Sequence, residues 1–395
     1  MIKYSIPQNW IKYDPLELAG RLASAKAAVM SLTSIPFQRS WADQLQVVQL
    51  KREIAGTSRI EGADFTEREL DAALKESPEQ LHTRSQRQAA SAVATYRWIA
   101  SLPEDRPLDE DLICEIHRRM ITGADDDHCP PGVIRQRDQN VNFGVPRHRG
   151  AEGGDECQRA FSSLSKALQT SYRERDPLIQ ALAAHYHFAA MHPFLDGNGR
   201  TARALEALML QRTGLRDTLF IAMSNYYYEE KNGYLDALAA VRASDHDLTP
   251  FLSFGLRGIE TQCLRLFAEI RVNLQKALFR NIMYDLFNRL QTKRKRVIAE
   301  RHIEVLKMLL DADSLLLDEI TEKTKFIYGQ LKNPYKALIR DLNDLIQLGA
   351  ISHNKNDAGK VRIFALLEWP TKITETEFFA NVKKMPKAKS HPFLS

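Results

Sequence analysis

The stretch His192-Pro193-Phe194-Leu195-Asp196-Gly197-Asn198-Gly199-Arg200-Thr201-Ala202-Arg203 constrains this chain more than any other. It breaks two apolar helical patterns. Asp176-Pro177 reads as a helix start, with Asp as the cap and Pro at the first helical position. That helix is expected to run through Ile179, Leu182, Ala183 and Tyr186 to about Met191, and a second from near Arg200 through Leu205, Leu208 and Met209 toward Gly214. In the break, Gly197 and Gly199 lack a Cβ, so the backbone can turn tightly and bring several N–H groups to one anion. The helix start that follows adds unpaired N–H groups and a favourable dipole end. Arg200 and Arg203 are three residues apart and share one helix face. Two guanidinium forks there suit two phosphates, or one phosphate and one carboxylate. Asp196, at the loop mouth, is the kind of lone carboxylate that holds Mg²⁺ beside phosphate oxygens. His192, just ahead of the loop, suits a general base near neutral pH.

The same residues resemble the Fic family signature H-x-F-x-[D/E]-G-N-G-R-x-x-R, filled here by His192, Phe194, Asp196, Gly197, Asn198, Gly199, Arg200 and Arg203. The resemblance implies a mostly α fold: a Fic-type helical core with a short β-hairpin flap. It implies transfer of AMP from ATP to a Ser, Thr or Tyr hydroxyl of a target protein. His192 would take the hydroxyl proton and Asp196 would hold Mg²⁺ on the α- and β-phosphates. Gly197, Asn198 and Gly199 would form the anion hole. Arg200 would bind the outer phosphates and Arg203 the γ-phosphate, while Phe194 anchors the loop. Two alternatives stand beside it. One is a transferase using another nucleotide donor. The other is a DNA-binding regulator in which the Fic core is a sensor.

Thr57-Ser58-Arg59-Ile60-Glu61-Gly62 resembles the family's inhibitory pattern [S/T]-x-x-x-E-[G/N] through Thr57, Glu61 and Gly62. The resemblance implies that Glu61 pairs with Arg203 and denies it to the γ-phosphate, since one fork cannot serve a carboxylate and a phosphate together. The family's flap is matched by 132–145, with Arg135 and the alternating run Asn140-Val141-Asn142-Phe143, a segment that also reads as a structural loop. Tyr226, Tyr227, Tyr228 and Tyr234 fall where relatives line the base pocket. Glu230-Lys231 stands there for the usual Asn-Arg and Tyr234-Leu235 for the Tyr pair, so the base preference stays open.

Elsewhere the pattern is helical. Helices are expected over 16–32 and 43–54, with Gly56 as an interruption, then from a start at Thr66 to Glu69, over 86–100 and over 108–122. Further helices are expected over 155–174, 232–242 and 249–290. The breaker-dense segment 123–158 reads as loop with room for a hairpin across 133–145. Three helices and two β-type runs, 350–352 and 362–366, make 300–368 a winged helix-turn-helix candidate. The boundaries that follow are an N-terminal helical region 1–105 and a catalytic core 106–260. Connecting helices 261–299, the winged helix 300–368 and a loosely ordered tail 369–395 complete them. The basic run Lys293 to Arg296 ahead of the wing suggests DNA as a partner. His185 and His187, two apart on one helix, face different sides and are not expected to bind metal together.

With 44% hydrophobic and 27% charged residues, the chain is neither collagen-like nor disordered. No apolar run approaches a membrane span. The first residues lack a signal peptide's pattern, and Cys114, Cys129, Cys157 and Cys263 form no C-x-x-C pair, so reduced thiols and a cytoplasmic setting are expected. The net charge of +5 permits a polyanionic partner without demanding one. The expected partners are ATP and a hydroxyl-bearing target protein, with no membrane; a homodimer is compatible with the sequence.

Overall fold

The computed structural model describes residues 2–35, 39–63, 66, 68, 70–72, 83–215, 221–290, 293–355 and 358–384. The chain divides into two compact units, Met1–Phe267 and Ala268–Ser395.

In the first unit, helix α1 (Pro15–Thr33) is capped by Asp14, whose carboxylate accepts from the Leu16 and Glu17 amides. Helix α2 spans Arg39–Ile60 and α3 spans Arg84–Ser101. Thr83 caps α3, and the Gln86 side chain accepts from the Thr83 N–H in return. Helix α4 (Glu110–Ile121) precedes a two-stranded hairpin of β1 (Asn142–Phe143) and β2 (His148–Arg149). Then come α5 (Asp155–Gln169), α6 (Pro177–Met191) and α7 (Asn198–Leu210). Asp176 caps α6 through the Leu178 N–H at 3.0 Å. Helices α8 (Met223–Glu229) and α9 (Lys231–Ala243) complete this part, and α10 (Thr249–Asn288) runs across the unit boundary.

The region 1–105 is not a separate body. One apolar cluster joins Ile54 of α2, Ala89, Val93 and Tyr96 of α3, Ile116 and Met120 of α4, and Ala204 and Leu208 of α7. The helices carrying the 57–62 motif and the signature therefore share a core. The expected interruption at Gly56 does not occur, and α2 continues through it. Glycine is required there by proximity, since a Cβ would strike the Ser224 carbonyl and the Asn225 amide nitrogen at the start of α8. The hairpin also lies later than expected, with Asn142 opposite Arg149 and Phe143 opposite His148. Residues 2–4 pair along its other edge, with the Tyr4 N–H donating to the Arg149 carbonyl at 2.9 Å. The helix start expected at Thr66 to Glu69 lies largely outside the described residues.

In the second unit, helix α11 (Lys293–Ala312) leads to β3 (Ser314–Leu316), a strand that sequence patterning did not reveal. Helices α12 (Leu317–Lys323), α13 (Lys325–Tyr328) and α14 (Pro334–Gln347) follow, then β4 (Ile351–Lys355) and β5 (Val361–Ala365). The sheet is antiparallel in the order β3-β5-β4. The expectation of a loose tail from 369 is corrected over its described part. Helices α15 (Trp369–Lys372) and α16 (Glu375–Lys384) form there. Trp369 and Phe378 are buried with Phe279 and Phe287, and the Trp369 indole donates to the Leu348 carbonyl at 2.9 Å. The side chains of the basic run Lys293 to Arg296 lie outside the described residues.

Gly56→Ala is expected to destabilise the protein by about 1–3 kcal/mol, because backbone cannot yield as a flexible side chain does. An unfolding midpoint at or above that of the unsubstituted protein would contradict the close approach of α2 to α8.

Candidate active site

His192 ends α6 in a left-handed conformation, φ 53° and ψ 61°, rare for a residue with a Cβ. Its backbone is held on both sides. The His192 N–H donates to the Phe188 carbonyl at 3.1 Å, and the Arg135 Nε–H donates to the His192 carbonyl at 2.7 Å. The ring Nδ1 lies 2.6 Å from the Ala189 carbonyl. A carbonyl only accepts, so Nδ1 carries the hydrogen and Nε2 presents a lone pair. Phe143 of the hairpin stacks on the imidazole with centroids 3.5 Å apart. Burial pushes the imidazole down to about 4, so it is neutral near pH 7 with its Nε2 lone pair available.

Arg135 is 1% exposed and also donates to the carbonyls of Gln139 at 2.6 Å and Ala151 at 2.5 Å. It ties the loop ahead of the hairpin to the end of α6. Sequence reading placed Arg135 in the flap; its place is beneath it, as a staple for the His192 backbone.

The loop after His192 is self-bonded. The Asn198 side chain accepts from the Phe194 N–H at 2.9 Å and donates to the Phe194 carbonyl at 2.8 Å. Gly197 takes φ +71° as the cap of α7, and its N–H donates to Asp196 at 2.6 Å. Thr201 is the first residue of α7 whose N–H reaches a helix carbonyl, that of Gly197 at 2.9 Å. The preceding amides of Asn198, Gly199 and Arg200 are the first-turn donors that a helix cannot satisfy internally. Phe194 is fully buried and stacks on His117 at 3.7 Å, as an anchor should. His117 accepts from the Gly132 N–H at Nδ1, 2.8 Å away, so its Nε2–H donates to the Asp196 carbonyl at 3.0 Å. No motif marked His117; its apolar helix face gave no signal.

The two arginines differ. Arg203 is 2% exposed, and its Nε–H donates to Thr57 Oγ1 at 2.9 Å. Its Nη2 donates to the Thr57 carbonyl at 3.2 Å and to Glu61 Oε1 at 2.5 Å. Thr57 lies in the last turn of α2, Glu61 directly follows the helix, and Gly62 comes next with φ +89°. A Cβ on Gly199 would collide with the Glu61 carboxylate, so the missing side chain is what lets Glu61 approach. Arg200 instead pairs with buried Asp125 at 2.6 Å and stands 3.8 Å from Asp196. Asp125 also binds Arg84 at 2.5 Å and Gln88 at 2.9 Å. Burial would raise the Asp125 carboxyl, but Arg200, Gln88 and Arg84 hold it below the usual range.

A cavity of about 290 Å³ is bordered by His192, Asp196, Asn198, Gly199, Arg203 and Glu61, and further along by Tyr234, Leu235, Leu238 and Arg242 of α9. The hairpin tip covers it with Phe143, Gly144 and Val145. Arg200 does not border it. Among the four tyrosines assigned to a base pocket, Tyr234 alone does. Tyr226 and Tyr227 are buried, Tyr227 with its hydroxyl on Glu206 at 2.9 Å, and Tyr228 is exposed beside Arg59. Three tyrosines in sequence on a helix point in three directions, so one face cannot hold them all. His185 bonds Glu206 and Tyr234, whereas His187 reaches the Trp10 carbonyl at 2.7 Å. The two histidines thus face apart.

Asp196 suits a hard cation. It is a half-exposed carboxylate on the cavity wall beside unsatisfied amides, where substrate oxygens and water complete a shell. His128 Nε2 lies 3.0 Å from its free oxygen.

Residues 107–210 match the Fic/DOC family. A protein adenylyltransferase Fic of Nematostella vectensis is 32% identical over 155 residues, 38% of this chain and 32% of that protein. The protein adenylyltransferase fic-1 of Caenorhabditis elegans is 30% identical over 168 residues, 42% of this chain and 30% of that protein. The chain thus spans about a third of the length of these curated relatives. Among solved structures, a Fic family protein from Desulfovibrio desulfuricans G20 superposes with a TM-score of 0.57 over 92% of this chain and 98% of that one, at 18% identity. Fic-1 from C. elegans superposes with a TM-score of 0.54 over 66% of this chain and 75% of that one, at 20% identity. The chain therefore carries a Fic domain within 107–210, on a mostly helical fold shared with those structures.

The His192 ring should stay neutral far below the usual histidine range. NMR titration of its ring carbons is expected to give a pKa near 4; a value near 6.5 would show that the ring is not enclosed as described.

Proposed function

We propose that this chain is a protein adenylyltransferase that moves AMP from ATP to a hydroxyl side chain of a target protein, and that Glu61 restrains it. One observation carries the reading: a His192 imidazole fixed as the Nδ1–H tautomer borders the same cavity as the α7 amides and the Arg203 fork.

The chemistry follows from those groups. His192 Nε2 accepts the proton as the target's hydroxyl oxygen attacks the α-phosphorus of ATP. The new O–P bond forms as the bond to the β-phosphate's bridging oxygen breaks, and pyrophosphate leaves with that electron pair. Amides of the first turn of α7 donate to oxygens whose charge grows in the transition state. Neutrality of His192 at pH 7 favours this role, since a protonated ring has no pair to offer. Asp196 would hold Mg²⁺, which supplies charge neutralisation on the phosphates. The hairpin over the site offers a target the strand-like pairing noted for extended peptides.

Restraint rests on Arg203. Its Nη2 bonds Glu61, so a γ-phosphate arriving there must displace a carboxylate at 2.5 Å. Removing Glu61 leaves the Thr57 contacts in place, and the fork keeps its orientation with one face released. In the second unit we read residues 300–368 as a winged helix, on the element order helix, strand, helices, and two strands in one antiparallel sheet.

With ATP and Mg²⁺, the Glu61→Gly protein is expected to gain AMP on itself or on a target at least roughly tenfold faster than the unsubstituted chain, read as added mass. An unchanged rate would remove the restraint. In that background His192→Ala should cut transfer by about 10²–10⁴ while ATP still binds. Undiminished labelling would end the general-base role.

A further inference from the structure

At the end of the cavity away from Glu61, two polar groups have no hydrogen-bond or ion-pair partner among the described residues. His148 is 3% exposed, and neither ring nitrogen closes a hydrogen bond, although the Pro146 carbonyl and the Arg242 guanidinium are near. Arg242 is half-buried, with the phenols of Tyr186 and Tyr234 among its neighbours, and it makes no hydrogen bond or ion pair among the described residues. Buried polar groups are ordinarily paired, and leaving them unpaired is costly. Both residues border the cavity. Gly144, at the hairpin tip with φ +76°, lies between them: a Cβ there would sit 2.8 Å from His148 Cε1 and 3.4 Å from Arg242 Nη2. The glycine leaves open the small space that both groups face.

The rest of the cavity says what would fill it. Helix α9 runs from Lys231, whose ammonium donates to the Ile60 carbonyl at 3.0 Å beside Glu61, to Arg242 at the hairpin tip. At 1.5 Å per residue those ends are about 16 Å apart, room for phosphates, sugar and base in line. Between them Leu235, Leu238, Ala189 and Val145 present apolar walls suited to the faces of a flat ring. Arg242 only donates, whereas a neutral imidazole can also accept. Adenine shows just such a complement, a ring nitrogen that accepts beside an amino group that donates.

Building on the adenylyltransferase reading, we propose that Arg242 and His148 recognise the edge of the adenine base. Arg242 donates to the ring nitrogen next to the exocyclic amino group, and His148 accepts from that amino group. The pair is a specificity determinant outside the signature, supplied by α9 and the hairpin.

Calorimetry of the Glu61→Gly protein with Mg²⁺ and ATP, 7-deaza-ATP or 1-deaza-ATP tests this. Each analogue lacks one acceptor nitrogen. One of them is expected to bind about tenfold more weakly than ATP. In the Glu61→Gly, Arg242→Met protein that difference disappears, and Arg242→Lys, which keeps one donor, restores part of it. Unfolding midpoints verify that each variant is folded. Equal affinity for all three nucleotides in the Glu61→Gly protein, or the same discrimination after Arg242→Met, overturns the proposal. Slower labelling of a target with nucleotide discrimination unchanged also overturns it, in favour of a contact with the target. If the nucleotides bind as expected but no AMP is added, the transferase reading falls and base-edge recognition stands. If ATP does not bind, both fall.

Discussion

A buried guanidinium must be surrounded by acceptors, and much of this structure meets that demand for Arg203. An isolated charge in a low-dielectric interior costs far more than a domain's net stability. Arg203 is met by Thr57 twice, from the last turn of α2, and by Glu61 once, from the residue that follows the helix. That fixes where α2 must end and why it passes close enough to α8 to need Gly56. One turn earlier on α2, buried Glu53 accepts from Tyr96 and from the Ser224 amide, each at 2.8 Å, and burial pushes its carboxyl up to about 7. The inner face of α2 thus carries buried polar residues beside Ile54, because part of it packs against a cation and a helix start.

A second requirement is the aim of one imidazole. His192 stands where α6 must end and the glycine loop begin, and its left-handed backbone is unfavourable by about 1–3 kcal/mol. Arg135 compensates from below by binding the carbonyl, Ala189 fixes the tautomer, and Phe143 covers the ring. His117 holds the loop at the Asp196 carbonyl. Arg135 and Phe143, from two other segments, thus join Ala189 of its own helix in orienting this side chain, which accords with a site that depends on geometry more than on loop mobility.

The charges around the loop are divided between two faces. Arg203 and Glu61 face the cavity, whereas Arg200 is drawn by Asp125 into a cluster that Arg84 and Gln88 complete. Sequence spacing put both arginines on one face of α7, and that is correct for the helix. Which anion each one meets depends on Asp125, from the loop after α4, and on Thr57, far earlier in the chain. The shared helix face made the two look equivalent, and their partners make them different.

The signature from His192 to Arg203 was legible because its pattern is local: two glycines, a capping turn and a following helix all lie within twelve consecutive residues. The helices of both units were legible for a similar reason, as periodicity and a cap such as Asp176-Pro177 are local signals. The course of α2 through Gly56 was not, since the reason for that glycine lies in the backbone of residues 224 and 225. Nor was the burial of Tyr226 and Tyr227, nor the part played by His117, Arg135, Asp125, His148 and Arg242. In isolation these are a histidine on an apolar helix, loop charges and a residue near a helix end. Short-range sequence determined the glycine turn between α6 and α7 and the helical class. Only the tertiary structure decided which distant side chains pair with it and aim it, because pairing between buried polar groups is set by packing across the chain.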